Sequence, residues 1–200
     1  MIRAVLFDFG GVLAEEGFRD GLKAIARKNG LDPQGFYKIS ADLVYQTGYI
    51  TRKCAEHSYW NAVRKKTGVK GDDQEFREEI LKRFKLRRRM IAVVEKIKSS
   101  GLIVAILSDQ TDWLDELDQR IPFHHHFDYV FNSFHLGKTK RDPSIFRDVC
   151  DLLDLRPEEI LFVDDNLDNV KRAKIQGLRT IHFRGAREFQ IEIKKLVEPR

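Results

Sequence analysis

Cysteine is almost missing from this 200-residue chain, which has only Cys54 and Cys150. Two thiols cannot build the disulfide framework of a small secreted domain, and they point to a reducing compartment. Proline is scarce too, at 5 residues, and glycine stands at 13, so collagen-like and low-complexity chains are excluded. Long apolar runs are absent. None exceeds about six residues, against the roughly 18–20 that a membrane-spanning helix requires. Met1-Ile2-Arg3 leads directly into Ala4-Val5-Leu6-Phe7 without the pattern of a signal peptide. The expectation is a cytoplasmic protein with no membrane partner. A strong excess of one charge is also lacking: 36 Lys and Arg face 31 Asp and Glu, a net +5. The densest basic piece, Lys82-Arg83-Phe84-Lys85-Leu86-Arg87-Arg88-Arg89, follows Glu75, Glu78 and Glu79. It reads as a solvated helix end whose cations complement the dipole, rather than as a nucleic-acid surface.

What is present is a core-forming chain, 42% apolar, long enough to bury roughly 70% of the surface its unfolded form exposes. Ala4 to Phe9, Leu102 to Leu107 and Ile160 to Val163 are short and nearly continuously apolar, as strands buried on both faces of a parallel sheet are. Tyr129-Val130-Phe131 and Thr180-Ile181-His182-Phe183 are weaker strand candidates. Helical spacing lies between them: Met90, Val93, Val94 and Ile97 before Gly101, and Ile145, Phe146, Val149 and Leu153 after Pro143. Asp165 or Asn166 is placed to cap a helix through Val170, Ala173 and Ile175 that stops at Gly177. Strands alternating with helices make a doubly wound α/β fold. The stretch 15–89 breaks that rhythm. Its amphipathic segments, Phe18 to Lys28, Phe36 to Tyr45, Thr51 to Lys66 and Asp73 to Lys85, predict an all-α insert. The sheet then comes from residues 1–14 and 90–200.

In an open parallel sheet, ligands bind where loops diverge from the carboxyl ends of the strands. Those ends carry Asp8-Phe9-Gly10-Gly11, Ser108-Asp109-Gln110 and Asp164-Asp165-Asn166. Each alone is an ordinary cap or turn. Together they crowd acids that repel one another unless a cation sits among them. A hard divalent ion meets that need, since Mg²⁺ takes one or two carboxylates plus water and phosphate. A basic side chain is expected there as well, and Gly137-Lys138-Thr139-Lys140-Arg141-Asp142-Pro143 offers it.

Phe7-Asp8-Phe9-Gly10-Gly11-Val12-Leu13, Leu107-Ser108-Asp109, Lys140-Arg141-Asp142-Pro143 and Phe162-Val163-Asp164-Asp165-Asn166, in that order, resemble the haloacid dehalogenase-like hydrolase superfamily. The resemblance covers roughly 1–14 and 90–185 and implies a Rossmann-like core. The insert falls where that superfamily carries a helical cap. It further implies that Asp8 is a nucleophile forming an aspartyl-phosphate, a known type of covalent carboxylate catalysis. Ser108 and the backbone amides of Asp109 and Gln110 would hold phosphate oxygens, and Lys140 would offset charge. Mg²⁺ would sit on Asp8, the Gly10 carbonyl and Asp165, with Asp164 and Asn169 at or just behind it. The activity implied is hydrolysis of a small phosphorylated metabolite.

Two positions depart from the pattern. Gly10 stands where many phosphatases of the superfamily carry a second Asp, their general acid and base, a contribution typically worth about 10²–10⁴-fold. Glu15 and Glu16 lie close enough to substitute, although helix-start acids are usually solvated. Asp109 stands where relatives often have Asn, so its charge must point away from phosphate or meet Lys140. Two other readings stay open: a catalytically weak relative that binds a phosphorylated ligand or a protein, and a haloacid dehalogenase, which the double Asp disfavours. His124-His125-His126 is too crowded to converge on one metal. Tyr59 and Trp60 are spaced as packing residues, or as the lining of a substrate pocket. Cys54 and Cys150 lack a neighbouring base.

Overall fold

Ala4–Phe7 (β1) is apolar throughout and wholly buried, and it takes the centre of a five-stranded parallel sheet. This computed structural model describes residues 1–197. The other strands are β2 (Ile103–Ser108), β3 (Tyr129–Asn132), β4 (Ile160–Asp164) and β5 (Arg179–His182), in the spatial order β3-β2-β1-β4-β5. In register, Phe7 lies opposite Ile106 on one side and Val163 on the other. The residues that follow, Asp8, Ser108 and Asp164, therefore emerge at a single edge of the sheet. Pleating sends Ala4 and Leu6 to one core and Val5 and Phe7 to another.

The helices are α1 (Gly17–Lys28), α2 (Pro33–Gln46), α3 (Glu56–Thr67), α4 (Asp73–Leu81), α5 (Arg88–Ser99), α6 (Trp113–Arg120), α7 (Ser133–Leu136), α8 (Ser144–Leu153), α9 (Leu167–Ile175) and α10 (Ala186–Val197). Among the described residues, no helix is long and apolar enough to cross a membrane. Helix α8 presents Ile145, Phe146, Val149 and Leu153 to the core formed with Leu6 and Leu107. Asp32 caps α2 by accepting from the Gly35 N–H at 2.6 Å, and Asp72 caps α4 by accepting from Glu75 N–H at 2.8 Å.

Several boundaries differ from the periodicity. The helix expected from Thr51 starts at Glu56, because the chain first makes a 3₁₀ turn over Tyr49–Thr51 and Arg52 is left-handed (φ 60°). The helix expected to reach Lys85 ends at Leu81, and Leu86 then pairs with Ala14 in an isolated antiparallel bridge. Glu15 N–H donates to the Lys85 carbonyl at 3.0 Å and Arg87 N–H to that of Leu13 at 2.8 Å. Only its first residues, Lys82 and Arg83, close the end of α4. The rest is the return path of the insert, stitched to its entry path over Lys85 to Arg87, with Arg88 and Arg89 opening α5.

Helix α1 lies so close to α4 that a Cβ on Gly21 would fall 2.6 Å from the Ile80 Cα. Tyr59 and Trp60 are fully buried, and Trp60 stacks on Trp113 of α6 at 6.1 Å between centroids. They pack the insert against the core and do not line a pocket. The histidine run forms a short 3₁₀ turn in which His124 faces Asp118 at 3.4 Å and His126 faces Glu95 at 3.0 Å. Cys150 is buried on α8, and burial pushes its thiol up to about 11.

Glu79 gathers the cations of α1 and α4: Lys28 at 2.6 Å, Lys82 at 2.7 Å and Arg83 at 2.5 Å, with its own side chain 5% exposed. Burial raises its pKa, but the three cations outweigh burial and hold it down to about 2. In acid the unfolded chain therefore binds this proton first, and the stabilisation present at neutral pH fades as pH falls from about 4.5 towards 2. Glu79→Gln should lower unfolding free energy by about 1–3 kcal/mol at pH 7. The gap from wild type should close on acidification, as urea titrations at several pH values will report. A gap independent of pH would contradict the ion-pair origin.

Candidate active site

The site begins with Asp8, the first residue past β1, held by Asp8 N–H donating to the Val163 carbonyl at 2.9 Å. Its Oδ1 accepts from Phe9 N–H at 2.7 Å and from Ser108 Oγ at 2.8 Å, and it pairs with Lys140 Nζ at 2.9 Å. Its Oδ2 has no partner among the described residues. Burial pushes the Asp8 carboxyl well above the usual range. Lys140 opposes that shift, while Asp164 adds to it.

Lys140 is 1% exposed and its ammonium also donates to Asp164 Oδ2 at 2.7 Å. Burial lowers its pKa, but Asp164, Asp8 and Asp109 more than reverse this and keep it charged. The fully buried Asp164 uses both oxygens: Oδ1 accepts from Asn166 N–H at 2.7 Å, and Oδ2 also accepts from Asn169 Nδ2 at 3.1 Å. Asn166, not Asp165, caps α9, its Oδ1 accepting from Asp168 N–H at 2.9 Å. Asp165 is left to lean over the β1 loop. A Cβ on Gly11, which has φ +80°, would fall 2.2 Å from Asp165 Oδ2, so the close approach of the two loops requires glycine.

Asp109 turns away from the site centre. Oδ1 accepts from Lys140 N–H at 2.8 Å and Oδ2 from the Tyr45 hydroxyl of α2 at 3.2 Å. Its charge thus positions the lysine loop and ties the insert to the core.

Asp8, Gly10, Ser108, Asp109, Gln110, Lys140 and Asp165 line one cavity of about 590 Å³, with Asp164 buried behind them. Grooves of about 630 and 610 Å³ lie elsewhere, one within the insert and one beside Leu86 and Ile121, but neither gathers this chemistry. Volume does not select the site; the side chains do. The same cavity includes Arg19, Tyr37, Tyr45, Arg141 and Arg172, which sequence reasoning missed. Nothing in their spacing separates them from other helix-face or loop residues. Arg141 stacks on the Tyr45 ring at 3.5 Å.

Carboxylate oxygens of Asp8, Asp164 and Asp165 all lie within 4.8 Å of one another. Only Lys140 is buried among them. An all-oxygen donor set short of positive charge fits a hard divalent cation. Burial, with Asp164 adding to it, raises the Asp165 carboxyl, which is the response of an acid lacking a counter-charge.

Glu15 and Glu16 part company. Glu15 pairs with Arg87 at 3.1 Å in the open. Glu16 turns into the cavity, where burial and then Asp165 raise it to about 7.

An open parallel α/β sheet with a buried carboxylate, hydroxyl and ammonium at its carboxyl edge is an enzyme architecture. The family model described as haloacid dehalogenase-like hydrolase matches residues 2–175. The chain belongs to that family. Its curated relatives include bifunctional epoxide hydrolase 2 of Rattus norvegicus, 30% identical over 118 residues. That match covers 56% of this chain and 21% of the relative, so the chain spans about a fifth of that protein. Sesquiterpene phosphatase astK of Aspergillus oryzae is 27% identical over 54% of this chain and 56% of its own. (S)-2-haloacid dehalogenase 4A of Burkholderia cepacia is 34% identical over 45% of this chain and 39% of its own. Among solved structures, a HAD-like family hydrolase from Porphyromonas gingivalis superposes with a TM-score of 0.77 at 23% identity, covering 100% of both chains. A HAD family enzyme from Bacteroides thetaiotaomicron, in complex with magnesium and inorganic phosphate, gives 0.72 at 20% identity over 90% of this chain and 93% of its own.

Replacing Lys140 by Met should leave Asp8 and Asp164 facing each other without their cation. Removing one partner of a buried pair typically costs about 3–5 kcal/mol. Chemical denaturation of Lys140→Met at neutral pH will measure it, and wild-type stability in that variant would contradict the central role given to this lysine.

Proposed function

We propose that this hydrolase is a Mg²⁺-dependent phosphatase acting on a small phosphorylated molecule through an aspartyl-phosphate on Asp8. The observation that carries this reading is the gathering of the Asp8, Asp164 and Asp165 carboxylates within 4.8 Å of one another, with Lys140 paired to the first two of them. Haloacid chemistry, attack on carbon without metal, has no use for Asp165, whereas phosphate brings more negative charge and needs a cation. The phosphatase among the curated relatives and the magnesium and phosphate held by a protein of the same fold support the same choice.

Asp8, Asp165 and the Gly10 carbonyl would hold the ion, and Asp164 orients the lysine beside them. When bound, Mg²⁺ supplies charge neutralisation between the carboxylates and the transferring phosphoryl group. The chain's own groups do the rest. The Ser108 hydroxyl, the Asp109 and Gln110 amides and the Lys140 ammonium take up phosphate oxygens and aim phosphorus at Asp8 Oδ2. Asp8 attacks in line, the leaving oxygen departs, and water then cleaves the phosphoryl–Asp8 bond.

Asp8→Asn should keep the fold and abolish phosphate release from aryl phosphates; rates near wild type would end the covalent reading. Binding to the native state alone stabilises by mass action. Millimolar Mg²⁺ should therefore raise the thermal midpoint of wild type but not of Asp165→Asn. An unchanged wild-type midpoint with metal-independent turnover would remove the metal. A wild type that gains stability from inorganic phosphate yet releases none from any ester would be a binding protein instead.

A further inference from the structure

Gly10 lacks a side chain, but the space where one would stand is not empty. A Cβ built on it falls 2.6 Å from Glu16 Oε1, with Gln110 Nε2 next at 3.7 Å. The backbone does not demand glycine here, because Gly10 is outside the left-handed region that Gly11 occupies. The chain folds back to bring Glu16 over this point: Leu13 and Ala14 N–H both donate to the Phe9 carbonyl at 2.9 Å, and Gly11 N–H donates to that of Ala14 at 2.8 Å.

Glu16 is at the start of α1, yet its side chain makes no capping hydrogen bond. It has no hydrogen bond or ion pair among the described residues. The other inner carboxyls have other places: Asp109 holds Lys140 N–H and Tyr45, Asp8 holds Ser108 and Lys140, and Asp165 belongs to the three-carboxylate cluster with Asp8 and Asp164. Glu16 is half-buried, stands outside that cluster and lines the same cavity as Asp8 and Gly10.

We propose that the Glu16 carboxyl is the general acid and base of the reaction, reaching from the insert into the position that Gly10 leaves open. The assignment rests on the phosphatase reading above. In the first step the bond from Asp8 Oδ2 to phosphorus forms as the phosphorus–oxygen bond to the leaving alcohol breaks, and the Glu16 proton passes to that oxygen. In the second, the Glu16 carboxylate takes a proton from water as the water oxygen bonds phosphorus and the phosphoryl–Asp8 bond breaks. Glu16 ends protonated, as it began, and phosphate is released.

Glu16→Gln keeps shape but loses the exchangeable proton. With Mg²⁺ present, it should slow alkyl phosphates by about 10²–10⁴-fold. Aryl phosphates leave without protonation, so this variant should release one equivalent of phenol in a burst and then stall. The phosphoryl group should then be found by mass spectrometry on the peptide carrying Asp8. Combining Gly10→Asp with Glu16→Ala, which vacates the space a Cβ on residue 10 needs, restores a carboxyl at the same point and should recover part of the alkyl activity that Glu16→Ala alone loses. If wild type releases phosphate while Glu16→Gln matches it on both substrate classes with no burst, the assignment of Glu16 falls and the phosphatase reading stands. Loss without any recovery in the double variant makes Glu16 a structural residue and also overturns the assignment. A wild type that releases no phosphate overturns both.

Discussion

Lys140 is a fully buried cation shared by two buried carboxylates, and the carboxyl edge of the sheet is organised around it. Its ammonium bridges Asp8 and Asp164, from the ends of adjacent strands β1 and β4, while its backbone is fixed by Asp109 from the end of β2. A buried charge without such partners costs several kcal/mol. The three loops are therefore held in mutual register by electrostatics as well as by the ladder beneath them. The same pairing leaves the three carboxylates of Asp8, Asp164 and Asp165 sharing a single ammonium, and Asp165 joins the cluster without an ion pair of its own among the described residues. Stability and chemistry meet in that deficit: the scaffold tolerates it, and under the proposed reading a divalent cation would offset it.

The helical insert is tied into this arrangement rather than merely resting on it. Tyr45 donates to Asp109, the residue that positions the lysine loop, and the guanidinium of Arg87, on the return path, donates to the Gly11 carbonyl. Trp60 stacks on Trp113 beyond the cavity.

Much of this was legible in the sequence, for physical reasons. Strands buried on both faces leave continuous apolar runs, so the first, second and fourth strands and the acids that follow them could be read directly. Parallel register then forces those acids together. The end of the insert was harder to read. Lys82 and Arg83 do close α4, but the charged residues after them lie in a stitched return path, because the pairing of Leu86 with Ala14 is a long-range contact with no local signature. The partner of Asp109 was hidden for the same reason, since Tyr45 looks like any residue on an amphipathic helix. Glu16 shows the limit most clearly. A pair of acids before a helix looks like solvated capping, and only the tight turn from Phe9 to Ala14 carries one of them over Gly10 while Arg87 claims the other.

The central claim is that Asp8 attacks phosphorus and water then cleaves the phosphoryl–Asp8 bond on the phosphorus side. A single turnover with excess protein, Mg²⁺ and an aryl phosphate in heavy-oxygen water tests this directly. The account predicts a phosphoryl group on the Asp8 peptide in acid-quenched samples, then one heavy oxygen in the released phosphate and none in that peptide. Label in the Asp8 carboxyl, or no release of phosphate under these conditions, would contradict it.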